Sequence, residues 1–234
     1  NNTALNCAFG ISLDDSPGCV VNDGTFDDCN VGIGIGNDGV TVSNVSASNC
    51  ATYGLLINNA PYSFISGSYF NGNTYGIVVN LNEANRQPVD ITDCFIENNT
   101  DVGLTFHGGI FSEISGNHFA NNVGYGVYLD TTCEMFFLFN NTFLENKYVW
   151  GINPDAYQAY DRGVGNNWYY YQGDRNYGNG WSNLPNVDRN PLDGYVDDPV
   201  RIGGSYDYYQ YQMPYGPKIE APSAPTGMTG DIRS

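Results

Sequence analysis

Apolar positions along this chain come in short bursts in which every second side chain is apolar, as in Val40-Thr41-Val42 and Val89-Asp90-Ile91. This is the alternation of a half-buried strand, and no stretch shows the 3.6-residue period of a helix. The bursts recur in one larger shape: apolar alternation, a polar turn bearing Asn, then an aromatic or Val, a Gly and an apolar triplet. Five segments share it: TFDDCNVGIGI (25–35), SASNCATYGLLI (46–57), SYFNGNTYGIVV (68–79), FIENNTDVGLTF (95–106) and HFANNVGYGVYL (118–129). Their anchoring glycines, Gly32, Gly54, Gly76, Gly103 and Gly126, are spaced 22, 22, 27 and 23 residues apart, and a degenerate sixth copy runs TFLENKYVWGI (142–152). Such a unit holds two or three short strands and cannot bury its apolar side alone. Stacking units ~4.8 Å apart buries a continuous column. The pattern therefore predicts an all-β fold, a right-handed parallel β-helix (β-solenoid), with Ile33, Leu55, Ile77, Leu104 and Val127 stacked inward. The anchoring glycines are expected where φ is positive or where backbones crowd.

The repeat divides the chain. Residues 1–18 are expected to form an N-terminal cap, 19–152 the rungs, 153–216 an irregular Tyr/Trp-rich C-terminal cap segment, and 217–234 a linker or tail. Twelve of the 19 tyrosines lie between Tyr157 and Tyr215. Asn recurs just before the anchoring Gly, as Asn30, Asn49, Asn73, Asn98–Asn99 and Asn121–Asn122, where stacked side chains can satisfy one another and the turn backbone. The insertion LNEANRQP (81–88) reads as a loop leaving the wall, a place where function often resides.

Charge narrows the partners. With 8 Lys+Arg against 25 Asp+Glu, the formal net charge is −17. That surface repels nucleic acid and anionic lipid and attracts divalent cations. No apolar run is long enough to span a bilayer. The chain begins at Asn1 without a charged-then-apolar leader, as expected of a mature exported protein. Asn-X-Ser/Thr acceptors at Asn44, Asn98 and Asn140 point the same way, to a secreted or cell-surface location, with the periplasm as the alternative. Six cysteines without a CxxC argue against a thiolate zinc site. Cys29 and Cys50 fall in nearly the same turn of consecutive rungs and are expected to form a disulfide, and Cys7–Cys19 is a further candidate pair. Gly32-x-Gly34-x-Gly36 lacks a following helix, so no nucleotide is expected.

The rungs, with the block Asn166-Asn167-Trp168, Gly173-Asp174-Arg175-Asn176, Asp193-Gly194-Tyr195-Val196-Asp197-Asp198-Pro199, Ile202-Gly203-Gly204 and Asp207-Tyr208-Tyr209, resemble the NosD-like group of exported bacterial and archaeal β-helix proteins. The family places Asp-Gly directly after Asp-x-Asn. Here about fifteen residues intervene, and a second Asp-x-Asn (Asp188-Arg189-Asn190) sits among them. The resemblance implies a hard-cation loop for Ca²⁺ with Asp174, Asn176, Asp188, Asn190, Asp193 and Asp197 as ligands. The copper chemistry of that group is not expected, because two histidines and three methionines form no cluster.

Composition favours a structural or binding role over catalysis. The first expectation is an extracellular structural protein of a cell-surface assembly, an S-layer, sheath or filament component, associating with itself or with other surface proteins. The alternative is a carbohydrate-binding module or glycan-active enzyme in which Trp168, Tyr169, Tyr171, Trp181, Tyr206, Tyr208 and Tyr209 stack on polysaccharide rings or form an interface. Rung carboxylates do not line up as a hydrolase pair. His107, before Gly108-Gly109, is the histidine with chemical promise, whereas His118, beside a rung phenylalanine, is expected to be structural.

Overall fold

The computed structural model describes residues 2–36, 39–146, 158–172, 175–182, 200–202, 205–207 and 211–212. Each coil crosses three walls in the same order. The first wall takes Asn2–Leu5, Gly24–Asp27, Ser46–Ser48, Tyr69–Asn71, Phe95–Glu97, His118–Ala120 and Thr142–Leu144. The second takes Phe9–Asp14, Val31–Gly36, Tyr53–Asn58, Tyr75–Asn80, Leu104–His107, Val127–Leu129 and Ala159–Asp161. The third takes Val20–Asn22, Thr41–Ser43, Phe64–Ser66, Asp90–Thr92, Glu113–Ser115 and Phe137–Phe139. All pairings within the walls are parallel, so the fold is the parallel β-solenoid that the period demands, with six coils complete on all three walls.

Strict register makes equivalent side chains stack. Ile33, Leu55, Ile77, Leu104, Val127 and Ala159 form one inward column of the second wall. Phe26, Ala47, Phe70, Ile96, Phe119 and Phe143 form that of the first wall. Val21, Val42, Ile65, Ile91, Ile114 and Leu138 form that of the third. All are buried in one contiguous core. The anchoring glycines stack as well, and crowding rather than dihedral angle requires them. A Cβ on Gly32, Gly54, Gly76 or Gly103 would lie 2.5–2.7 Å from the carbonyl oxygen of the glycine one coil on.

Asparagine ties the coils at two corners. Between the first and second walls, Asn73, Asn99, Asn122 and Asn146 each accept, through Oδ1, the backbone N–H of the equivalent residue in the preceding coil (2.8–3.2 Å). Each also donates from Nδ2 to a carbonyl of that coil. Between the third and first walls, Asn117, Asn141 and Asn179 repeat the device. All seven are buried, where a missing partner is costly. The expected Asn30 and Asn49 are not members, since both are exposed. Asn49, Asn98 and Asn121 instead take the outer, left-handed corner position (φ 54°), which Asn tolerates better than most residues.

The stacked walls reach beyond residues 19–152. Within residues 1–18, expected as the N-terminal cap, Asn2–Leu5 and Phe9–Asp14 pair in register with the next coil. The stack also runs past residue 152, since its registry needs stacked positions rather than the motif. Ala159–Asp161 extends the second wall, and Gly180–Trp181 and Tyr211–Gln212 extend the first. Trp181 lies over Phe143 (ring centroids 4.2 Å apart, 8° between planes), and Trp168 packs against both. The buried Asp161 carboxylate accepts from the Trp168 indole N–H (2.9 Å), Asn166 Nδ2 (2.9 Å) and the Gly163 amide (2.8 Å). Two antiparallel ribbons, Tyr170–Gln172 with Arg175–Tyr177 and Val200–Ile202 with Ser205–Asp207, complete the described C-terminal part. Residues 213–234, which include the expected tail, lie outside it.

Candidate functional site

Outward residues of the second wall stack in register into three columns: strand alternation turns out Leu56 and Asn58 with their equivalents, and the corner before the glycine turns out Tyr53 with its equivalents. One column holds Tyr53, Tyr75, Val102 and Tyr125. The next holds Leu56, Val78, Thr105, Tyr128 and Tyr160. A third holds Asn58, Asn80, His107, Asp130 and Arg162. The tyrosines form two stacked blocks. Tyr53 and Tyr75 lie 5.7 Å apart, while Tyr125, Tyr128 and Tyr160 lie 5.4–6.2 Å from one another. Between the blocks, Val102 and Thr105 interrupt the ladder for one coil, and Val78 and Thr105 form a floor nearly closed to water (7% and 6% exposed).

The third column carries the hydrogen-bonding groups. Asn80 Nδ2 donates to Asn58 Oδ1 (2.9 Å), and His107 Nδ1 lies 3.0 Å from Asp130 Oδ2. Burial pushes the Asp130 carboxyl up, but hydrogen bonds from Thr132, His107 and the Gly108 amide outweigh it and hold the group below the usual range. An ionised Asp130 thus orients the His107 ring. Arg162 reaches the Tyr128 hydroxyl and lies within the field of Asp130. Tyr75 donates to Asp101, which with burial pushes its hydroxyl up to about 12. The 81–88 insertion folds back over this corner: Arg86 bonds the Thr132 carbonyl (2.8 Å) and Glu134 (2.9 Å). No nucleophile is set for His107 by its neighbours. The Thr132 hydroxyl bonds Asp130, and the buried Cys133 thiol points to the Phe106 and Gly108 carbonyls and is pushed well above its ordinary value by burial. The arrangement sets stacked aromatic faces beside a column of hydrogen-bonding side chains.

Other expected residues land elsewhere. Trp168 and Trp181 are fully buried, so neither indole presents a face to a sugar; the apolar column above Leu138 and Phe143 claims them. Tyr169 is half-buried. Tyr171 and Tyr206 lie in the antiparallel ribbons, and Tyr208 and Tyr209 lie outside the described residues. Of the cation-loop set, Asn176 lies in the Arg175–Tyr177 strand, and Asp174, Asp188, Asn190, Asp193 and Asp197 lie outside the described residues. Asn44, Asn98 and Asn140 occupy left-handed corner positions (φ 51–55°), the first two exposed and the third half-buried. Cys29 and Cys50 stack at one corner of consecutive coils, as expected, with their sulfurs unbridged and each close to the backbone N–H of the cysteine one coil back. Cys7 and Cys19 sit at different corners and are also free. His118 packs between Phe95 and Thr142 and lies 3.5 Å from Glu97, a structural place in the first wall.

The tyrosine face was missed from sequence, although its signal was present. Counted from the anchoring glycines, Tyr53, Tyr75 and Tyr125 are all at the preceding position, and Asn58, Asn80, His107 and Asp130 are all four residues on.

Among the described residues no helix is long and apolar enough to cross a membrane. Comparison with curated proteins and with solved structures yields no match. A family model described as the right-handed beta helix region matches residues 9–159, well over half of the chain. The matched span covers the stacked walls from the first coil to Ala159, and the chain belongs to the right-handed β-helix family.

Proposed function

We propose that this chain is an extracellular scaffold of a cell-surface assembly whose second wall binds polysaccharide. The observation that carries this reading is the pair of stacked tyrosine blocks beside the Asn58–Asn80–His107–Asp130 column. A solenoid wall repeats its groups every ~4.8 Å along the axis, so its natural ligand is a polymer that also repeats. Aromatic rings take the apolar faces of sugar rings, and neutral amides with a His–Asp pair take hydroxyls. The net charge of −17 disfavours nucleic acid. The NosD-like C-terminal block supports export, as do the Asn-X-Ser/Thr acceptors at the exposed corners Asn44 and Asn98.

The test is binding to an array of neutral and acidic polysaccharides. Tyr75→Ala and Tyr128→Ala are each expected to weaken capture about tenfold, the loss of ~1.4 kcal/mol of contact, with an unchanged melting point. Wild-type affinity in both variants would remove the reading. A second reading, self-association into an S-layer, sheath or filament, is favoured by the column Tyr62, Pro88, Phe111 and Met135 at the second-to-third corner. Three of these are bulky and at least half exposed (69%, 52% and 50%) in the left-handed region (φ 56–61°). Ordered filaments from a protein that captures no glycan would shift the role to that corner.

A structural Ca²⁺ held by Asp174, Asn176, Asp188, Asn190, Asp193 and Asp197 is part of the proposal. Its expected signature is a melting point lowered by chelator and restored by calcium, because a ligand of the native state stabilises by mass action. Unchanged melting removes it.

A further inference from the structure

Cys7, Cys29 and Cys50 occupy one corner position on three successive coils. The register that pairs Leu5 with Asp27, and Asp27 with Ser48, carries Cys7 over Cys29 and Cys29 over Cys50. Adjacent Cα atoms at the ~4.8 Å sheet step fall in the range a disulfide spans. The two steps are not equivalent. The Cys29 thiol interacts with the Cys7 side chain as well as its backbone N–H, whereas Cys50 meets Cys29 through the backbone and through charge. Cys7 is half-exposed, and the other two are buried. The second and third coils are held by ladders on both sides. Coil three is also tied onward through Asn73, which accepts the Cys50 N–H at 2.8 Å.

We propose that Cys7 and Cys29 form a redox-closable disulfide site that staples the first coil to the second. The co-reactant is a small-molecule disulfide. The Cys7 thiolate attacks one of its sulfurs and displaces a thiolate. Cys29, losing its proton, then attacks the Cys7 sulfur and displaces the second. Two protein thiols are oxidised to one S–S bond while the reagent is reduced to two thiols. Burial pushes the Cys29 and Cys50 thiols both up, Cys50 to about 11, so the first attack falls to the half-exposed Cys7 and the bridge closes on its stacked neighbour Cys29.

The experiment incubates the full chain with oxidised glutathione, alkylates the remaining thiols and locates bridges by mass spectrometry. A Cys7–Cys29 bridge is expected in the folded wild type and in Cys50→Ser. Melting should rise by about 6–12 °C over the reduced protein, the effect of closing a loop of this size in a chain of this length. Cys7→Ser should abolish both. A dominant Cys29–Cys50 bridge, a fully reduced wild type, loss of the bridge in Cys50→Ser, or a bridge without a rise in melting would each overturn the proposal.

Discussion

Asn122→Leu is expected to lower stability by about 4 kcal/mol, read as a fall in the urea midpoint at unchanged slope. The two side chains have similar volume, so the cost is polar. Asn122 Oδ1 accepts from the Asn99 backbone N–H (3.1 Å) and Asn99 Nδ2 (2.8 Å). Its Nδ2 donates to the Ile96 carbonyl (3.0 Å) and Asn146 Oδ1 (2.7 Å). Leucine strands the Asn99 N–H and one Asn99 amide hydrogen at a site closed to water, each at roughly 1–3 kcal/mol, and removes the second donor of the Ile96 carbonyl, which keeps its ladder bond. The neighbouring Asn121, exposed at φ 54°, is the contrast: Asn121→Ala should cost no more than about 1–2 kcal/mol, the strain of a left-handed alanine. Equal losses at 121 and 122 would mean that the ladder contributes nothing beyond corner geometry.

Gly76→Ala, a single added methyl, is expected to cost at least about 3 kcal/mol. Its Cβ would meet the Gly103 carbonyl oxygen at 2.5 Å, Ile96 Cγ2 at 2.7 Å and Asn99 Nδ2 at 2.9 Å. None of these can retreat cheaply. The carbonyl belongs to the next coil, the isoleucine is core, and the amide is held in the ladder. The coils would have to part locally, which breaks hydrogen bonds on both sides of the glycine. Gly18→Ala separates this cause from backbone conformation, since Gly18 has φ 69° but open space around it. Its cost should stay near the ~1–2 kcal/mol of left-handed strain. Thermal or urea unfolding of both variants decides it, and a Gly76→Ala protein as stable as Gly18→Ala would show that the wall tolerates the methyl.

The two positions also show where sequence reading stops. Aligning the repeats on their glycines places the inward columns correctly, because Ile33, Leu55, Ile77, Leu104 and Val127 all follow the glycine directly. The same alignment misplaces the asparagine ladder. The corner before the glycine differs by one residue between coils: Asn73 lies three before Gly76, whereas Asn99 and Asn122 lie four before Gly103 and Gly126. Asn30 and Asn49, two and five residues before their glycines, face water, whereas Asn73, Asn99 and Asn122 do not, so nearness to the glycine does not pick out the ladder. The tryptophans fail for a different reason. Trp168 and Trp181 sit in an aromatic, turn-rich stretch with no period, so nothing local says that one lies over Leu138 and the other over Phe143.

What the sequence alone determined is the architecture. A recurrent apolar triplet behind a glycine, too short to bury itself, has to stack, and stacking at a constant step makes parallel walls. Which outward groups meet was decided only by the tertiary structure. His107 finds Asp130, Tyr128 finds Tyr160, and Cys29 finds both Cys7 and Cys50 because register sums the lengths of every intervening corner. Those lengths are set by how each turn satisfies its backbone, information that no single segment carries.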